Sequence, residues 1–351
     1  MAGEDDSPAT RLWHSVQPPE NEDLEKFRVT TLSVIVPVRN VAPYIVDTLV
    51  SLGRNARNDF EFIVVDDGST DATPDMVDDR RSALPALTLL RNSASVGPSA
   101  ARNRALAAAT GRYITFLDGD DWLAPGYLPQ AVEAIETLGV DFIKTDHVKA
   151  TGRSRVLVRV PEGRRNVALA PRPGILPENA TSMVDYPNVW SGVYDRTLLD
   201  RGLLTFAEDL HTAEDRLWTW QLHLHAESYA SVPLIGAFYR REVANSLTQV
   251  GDERQLQFFD AHDRIWRELD AIEDGERYLP KLIRTYCALI AFHLNRLDRF
   301  TPRLRRELKS QAARRLRDMP SNLLAQTLAA LGSERERLLN DLLDLETVAG
   351  R

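Results

Sequence analysis

The sequence contains a single cysteine, Cys287, in 351 residues. A lone thiol cannot close an intramolecular disulfide, which excludes a stapled secreted scaffold. Leu282, Ile283, Tyr286 and Ile290 surround it at helical spacing, so the thiol is expected to pack inside. Long apolar runs are missing too. No stretch approaches the ~20 residues that cross a bilayer, and the first thirty residues lack the basic and apolar blocks of a signal peptide. A reducing, cytoplasmic setting is the expectation. Positive charge is also in deficit: the formal net charge is -8. That excludes a general nucleic-acid binder, which needs a basic surface to displace phosphate counterions. The sequence shows no internal repeat of fixed period and no low-complexity tract.

The charge that is present is unevenly placed. Glu4, Asp5, Asp6, Glu20, Glu22, Asp23 and Glu25 face only Arg11 across the opening segment, so residues 1–30 read as a disordered acidic tail. Residues 301–319 instead carry seven bases against Glu307 and Asp318, on a segment whose Leu304, Leu308, Ala312 and Leu316 recur at helical spacing. That segment has two readings, a solvated helix face or a peripheral contact with anionic lipid or an anionic polymer.

From residue 32 onward, short apolar runs rich in branched residues (32–36, 60–65, 86–90 and 113–117) alternate with segments opening at Pro43, Pro74, Pro98 and Pro125. Proline suits a first helical turn, and crossover helices are what parallel strands require. The rhythm predicts an α/β fold over residues 31–250. Beyond Val140-Asp141-Phe142-Ile143, an added strand is predicted over 156–160 and acceptor-facing loops over 150–190. Beyond residue 251 the periodicity turns helical, and Ser333 with Glu336 reads as a capping box for a last helix. Residues 251–351 are therefore expected to form a helical subdomain.

The acidic motifs fall at the carboxyl ends of the predicted strands, where open α/β sheets form their ligand crevice. Asp66-Asp67-Gly68-Ser69 follows the second strand. A carboxylate there can accept hydrogen bonds from a base or ribose, or the segment can be an ordinary turn with Thr73 capping the next helix. Asp118-Gly119-Asp120-Asp121 follows the fourth. Its crowded acids suit a hard divalent cation, Mn²⁺ or Mg²⁺, shared with substrate phosphates, and a solvated acidic turn is the plainer reading. Between them, Asn92 and Arg102 flank a helix start. Arg102 can receive a base carbonyl or phosphate, or be a surface charge. Glu214-Asp215 opens a further helix, where acids also serve the macrodipole. His223 and His225, two apart on that helix, diverge and read as structural. Arg240, with Asn245 to Thr248 beyond it, can touch a diphosphate or decorate a strand end.

Taken in order, these motifs resemble glycosyltransferase family 2, the inverting enzymes of GT-A fold, over about residues 31–248. The resemblance rests on Ser33-Val34-Ile35-Val36-Pro37, the Asp-Asp-Gly-Ser turn, residues 97–103, the Asp-Gly-Asp-Asp site and Glu214-Asp215. It implies a Rossmann-like mixed sheet flanked by helices, with the helical subdomain following. It also implies a nucleotide-sugar donor held by Pro37, Asp66 or Asp67, Asn92, Arg102, Asp118, Gly119, Asp120, Glu214 and Arg240. Asp118 and Asp120 would hold the metal, and Asp215 would be the general base. The stretch from Trp190 to Asp215 is similar to bacterial enzymes that glycosylate wall polymers of the teichoic acid type. This suggests UDP-N-acetylglucosamine as donor and a polymeric or lipid-linked carbohydrate or polyol-phosphate acceptor. Assembly into homo-oligomers is compatible with the sequence. The competing readings are a sugar nucleotidyltransferase, which lacks its basic glycine-rich loop here, and a non-catalytic polymer-binding scaffold.

Overall fold

The computed structural model describes residues 29–84, 86–241 and 251–349. Most of the acidic tail and the Asn245 to Thr248 motif lie outside them.

Four apolar runs become the parallel half of one sheet. β1 (Leu32–Val38), α1 (Ile45–Gly53), β2 (Phe60–Asp66), α2 (Thr73–Asp78), β3 (Leu87–Arg91), α3 (Pro98–Ala108) and β4 (Tyr113–Phe116) follow one another, and the strands lie in the order β3-β2-β1-β4. β1 and β4 are buried almost throughout because helices cover both faces, which is why they read as continuous apolar runs. The register sets Val38 beside Asp66 and Asp66 beside Arg91, so the strands end at one level and their following loops meet.

The rest of the sheet is mixed. After β5 (Trp122–Leu123) and α4 (Tyr127–Leu138) come β6 (Phe142–Thr151), β7 (Ser154–Val158), β8 (Gly192–Asp195), α5 (Thr197–Asp200), α6 (Glu214–His225) and β9 (Tyr229–Arg240). β8 pairs antiparallel with both β4 and β6, β6 runs parallel to β9, and β9 carries β5 on its far edge; β7 is a hairpin partner of β6. The amphipathic helix α4 buries Tyr127, Leu128, Ala131, Val132 and Ile135, and stops at Gly139 in the left-handed region. Its Tyr127 side chain packs against Gly236 of β9, where any Cβ would fall 2.1 Å from the ring.

Beyond residue 251 the chain is helical: α7 (Phe258–Ala271), α8 (Leu279–Leu294), α9 (Pro302–Asp318), α10 (Ser321–Ala330) and α11 (Ser333–Ala349). One core lies within these helices and includes Cys287, Ile290, Leu308, Leu316 and Leu339. Another joins them to α6, with Leu217, Trp220 and Leu224 packed among Ala261, Ile265, Leu269 and Leu282. The opposite side of α6 places Trp218 and Leu222 in the sheet core. Clamped from both sides, α6 presents a rigid amino terminus, and that is the part of the fold that matters most for the site.

Three local expectations need correction. Thr73 is the first residue of α2, not its cap, and its hydroxyl instead accepts a hydrogen bond from the Val41 N–H. Ser333 likewise lies inside α11, because the Glu336 N–H bonds back to the Gly332 carbonyl. The basic helix α9 is not uniformly solvated: Arg315 is mostly covered, pairs with Asp263 at 2.7 Å and lies over the Phe259 ring.

Candidate functional site

The loops after β1, β2, β3 and β4 converge on one crevice. Asp67 is buried at its base and organises it. Its two oxygens accept from Asn92 Nδ2, Ser95 Oγ, Val96 N and Gly97 N, at 2.6 to 3.0 Å. Burial raises the carboxyl's pKa, but those four donors outweigh it and hold the group below the ordinary carboxylate range. A carboxylate offers about four lone-pair sites, and all are filled. Asp66, also buried, has a single lateral contact, from Ser69 N at 3.3 Å. Of the two aspartates, Asp66 is the one with capacity to spare. Asn92 is held between Asp67 and the Arg104 guanidinium, so its amide is part of the same scaffold.

The Asp118 to Asp121 turn is no solvated loop. Asp121 is 1% exposed, with Oδ1 accepting from Arg240 N at 2.6 Å and Oδ2 buried without a partner among the described residues. Burial, with Asp118 beside it, pushes Asp120 up to about 6. Burial and the charges of Asp120 and Asp118 raise Asp121 well above the carboxylate range. The turn is clasped by Arg240, which gives Nε to the Asp120 carbonyl at 2.7 Å, pairs with Asp47 at 2.9 Å and covers the Trp122 ring. Thr48 Oγ1 bonds the Gly119 and Asp121 carbonyls from below.

Gly119 has a steric duty here. A Cβ would stand 2.6 Å from Val38 Cγ1 and 3.2 Å from the Pro37 carbonyl, so the turn packs on the end of β1 only without a side chain. Gly119→Ala is expected to cost about 1 to 3 kcal/mol, the usual range for overpacking, and to displace the acidic turn. Chemical denaturation measures it; a loss indistinguishable from zero would mean that Val38 yields freely.

Arg102 is the residue whose placement departs most from expectation. It is not a surface charge. It is 6% exposed and spans two motifs, reaching Asp118 at 3.2 Å and Glu214 at 3.0 Å, with its plane over the Phe206 ring. This one side chain ties the acidic turn after β4 to the amino terminus of α6.

At that terminus Ala213 adopts φ +61, a left-handed conformation that costs a residue with a Cβ about 1 to 2 kcal/mol. Such strain at a helix start often accompanies a functional site. It is followed by two acids under electrostatic pressure. Burial and the neighbouring Asp215 push Glu214 up to about 7 despite Arg102. Burial raises Asp215 as well, against the pull of Arg216 and Arg102. Asp215 lines a cavity of ≈ 820 Å³ between α6 and the helices α8 and α11. Asn179 to Thr181 and Asp185, from the region read as acceptor-facing loops, line it too.

Lys144 is not singled out by its sequence context. It sits on β6, fully buried, giving Nζ to the Asn188 carbonyl at 2.5 Å and to Tyr194 Oη at 3.2 Å. Burial pulls it down to about 7 and the Asp215 charge opposes that, which puts Lys144 within the field of Asp215. The signal available was a lysine, an aspartate and a histidine (Lys144, Asp146, His147) inside a run that begins Phe142-Ile143. The two helical histidines are structural as expected: His223 is buried with Nδ1 against the Thr219 carbonyl, and His225 lies 3.5 Å from Glu268.

The crevice therefore gathers Pro37, Asp66, Asp67, Asn92, Asp118, Gly119, Asp120 and Arg240 along the strand ends. Arg102 connects them to Glu214 and Asp215. Among the described residues no group of three or more acidic, histidine or cysteine side chains forms a closed metal cage. A crowded carboxylate turn with one orphaned buried oxygen still fits a hard cation that takes most of its remaining ligands from phosphate oxygens and water.

Comparison with known proteins agrees with this geometry. Residues 33–203 match the family described as Glycosyl transferase family 2. The uncharacterized glycosyltransferase EpsJ of Bacillus subtilis is 30% identical over 226 residues, 63% of this chain and 64% of its own length. The poly(ribitol-phosphate) beta-N-acetylglucosaminyltransferase TarS of Staphylococcus aureus is 33% identical over 196 residues, 55% of this chain and 32% of its own. The chain thus spans less than two thirds of either relative. A crystal structure of S. aureus TarS 1-349 in complex with UDP-GlcNAc superposes with a TM-score of 0.67 at 21% identity, covering 91% of this chain and 92% of that one. At that identity the likeness speaks to the fold, a mixed sheet with flanking helices of the GT-A kind.

Proposed function

We propose that this chain, whose residues 33–203 match glycosyl transferase family 2, moves a sugar from a UDP-linked donor to a hydroxyl of a bacterial surface polymer, with inversion. The observation that carries the reading is the Arg102 bridge. It fixes a strand-end crevice rich in acids against a helix terminus whose Asp215 opens onto a separate cavity. A donor on one side and an acceptor on the other would meet at Arg102 and Asp215. The activity named for TarS, which transfers N-acetylglucosamine to poly(ribitol-phosphate), supports UDP-N-acetylglucosamine as the first donor to try.

In this mechanism Asp66 and the end of β1 at Pro37 receive the uridine, and Asp67 keeps their loop in shape. Asp118 and Asp120 would hold Mn²⁺ or Mg²⁺ at the diphosphate, where the cation offsets the negative charge that grows on the leaving group. Asp215 accepts the proton of the acceptor hydroxyl while that oxygen bonds to the anomeric carbon from the face opposite the diphosphate. The bond from the anomeric carbon to the diphosphate oxygen breaks in the same step, so the configuration inverts and UDP leaves. A raised pKa brings Asp215 closer to the working pH, where a general base is most effective.

A panel of UDP-sugars, assayed for UDP release with and without a polyol-phosphate acceptor, tests the reading. Binding of UDP without any release would favour the scaffold alternative. Asp120→Ala is expected to weaken Mn²⁺-dependent UDP binding by about ten- to a hundredfold, the loss seen even when a supporting partner of a metal ligand is removed. Calorimetric titrations that agree with and without EDTA would rule the metal out.

A further inference from the structure

Asp215 lies in the first turn of α6, and the chain that leads into α6 is irregular: residues 201–213 form neither helix nor strand. Backbone groups in such a segment have no ladder to join, so side chains must supply their partners. Over residues 206–212 those side chains come from two opposite sides.

On the sheet side the source is α3. Asn103 grips Phe206 by both backbone groups, giving Nδ2 to its carbonyl and taking its N–H on Oδ1, each at 2.9 Å. The same Nδ2 reaches Glu208 at 3.0 Å. Ser99, one turn earlier on that face, gives Oγ to the Leu210 carbonyl at 2.9 Å. The His211 ring closes on Gly97 at the start of the helix, where a Cβ would stand 2.5 Å from Nδ1. On the side of the helical subdomain the grip is repeated. Gln257, the residue before α7, gives Nε2 to the Asp209 carbonyl at 2.9 Å and takes the His211 N–H on Oε1 at 2.8 Å. Thr212 Oγ1 adds a bond to the Arg254 carbonyl at 2.5 Å.

The gripped segment in turn supports α6. Its Phe206 ring stacks on Trp218 with centroids 5.4 Å apart, and Trp218 stands three residues after Asp215, on the same side of the helix. The left-handed Ala213 joins the segment to α6, and a conformation of that kind persists only where its surroundings over-determine it.

We propose that residues 206–212 are a strap that sets the position of Asp215, with Asn103 and Gln257 as positioning residues and the helical subdomain as one of its two clamps. The proposal rests on the transferase reading for the role of Asp215, and on the contacts alone for the support of α6. A general base acts only within hydrogen-bond reach of the acceptor hydroxyl, and a misplacement of about 1 Å can cost on the order of 10²-fold.

Asn103→Ala and Gln257→Ala, each alone and each combined with Asp215→Asn, separate positioning from a merely structural role. Single-turnover release of UDP from UDP-N-acetylglucosamine, with water or poly(glycerol phosphate) as acceptor, should slow by about ten- to a hundredfold in each single variant. UDP affinity by calorimetry should stay within about twofold of that of the unsubstituted protein, since neither amide faces the nucleotide crevice. In the Asp215→Asn background neither substitution should slow release further, because nothing is left to position. Hydrogen exchange read by mass spectrometry needs no turnover: peptides covering residues 206–217 should exchange faster in both variants, and those covering 98–108 in neither. Thr212→Val, which removes one bond and keeps the side-chain shape, takes the same measurements in place of a truncation that does not fold. Rates within a few-fold of the unsubstituted protein, an equal loss with and without Asp215, or unchanged exchange across 206–217 overturns the proposal. Turnover retained by Asp215→Asn alone counts against the base assignment, and the exchange result then decides by itself whether the strap holds α6.

Discussion

Asp215→Asn is expected to lower turnover by about 10²- to 10⁴-fold, the usual worth of a positioned general base, while UDP binding stays as it was. Asparagine keeps the shape of the side chain and removes its basicity, so any loss should appear in the rate and not in donor affinity. A second consequence follows from electrostatics. The folded-state pKa of Asp215 lies above its unfolded value, chiefly through burial. A carboxyl shifted that way favours folding when protonated, and its contribution is lost as pH rises through the shifted value. Above that value the ionised group opposes folding, and the neutral amide should leave the protein as stable or more so. A variant that is inactive, binds UDP and melts no lower would have the signature of a base held in place at some expense to stability. Single-turnover UDP release and thermal melting give both readings. A rate within a few-fold of the unsubstituted enzyme would remove Asp215 from the mechanism.

What the sequence made legible was local. β1, β2 and β4 show as apolar runs because both sheet faces are covered, and α3 begins at Pro98 as proline at a first turn suggests. The acids at the strand ends were legible for the same reason: once a run is read as a parallel strand, its carboxyl end is the place for a ligand. The roles inside each motif were not. Asp66 and Asp67 look equivalent in sequence, and only the fold of residues 92–97 decides that Asp67 is saturated. Arg102 could be read as a ligand contact or a surface charge but not as a bridge, because its partners stand 16 and 112 residues away. No periodicity encodes such a pairing. Lys144 was hidden for a related reason: a charge in a strand reads as solvent-facing until the other face of the sheet is known to be covered. The helical region was recognised by its periodicity, but the cavity it forms against α6 brings together residues far apart in the sequence, which no local pattern encodes.

Arg102→Gln should produce the largest loss of stability of any change in the site, about 3 to 5 kcal/mol, because it removes one partner of a buried ion cluster and leaves the others behind. Asp118 and Glu214 would then share the interface between the β4 turn and α6 without a cation. Both reside on elements already under strain, with Ala213 left-handed and Asp121 holding an orphaned oxygen. The pH dependence distinguishes this from simple loss of packing. Glu214 already titrates near 7, mainly through burial and then Asp215, and without Arg102 its pKa would rise further. A raised acid stabilises the fold below the unfolded pKa and loses that contribution as pH climbs through the folded value, so the variant can relieve the clash in acid by taking up a proton. The deficit against the unsubstituted protein should therefore be smaller near pH 5 than near pH 8, two values on either side of the folded-state pKa of about 7. Urea denaturation at the two pH values measures it. A deficit equal at both would assign Arg102 a packing role over Phe206, whereas a deficit that grows with pH means that the guanidinium is there to hold two acids together. In that case Arg102→Gln should also lose turnover, but unlike Asp215→Asn it should lose UDP affinity with it, since the crevice and the base are tied by the same side chain.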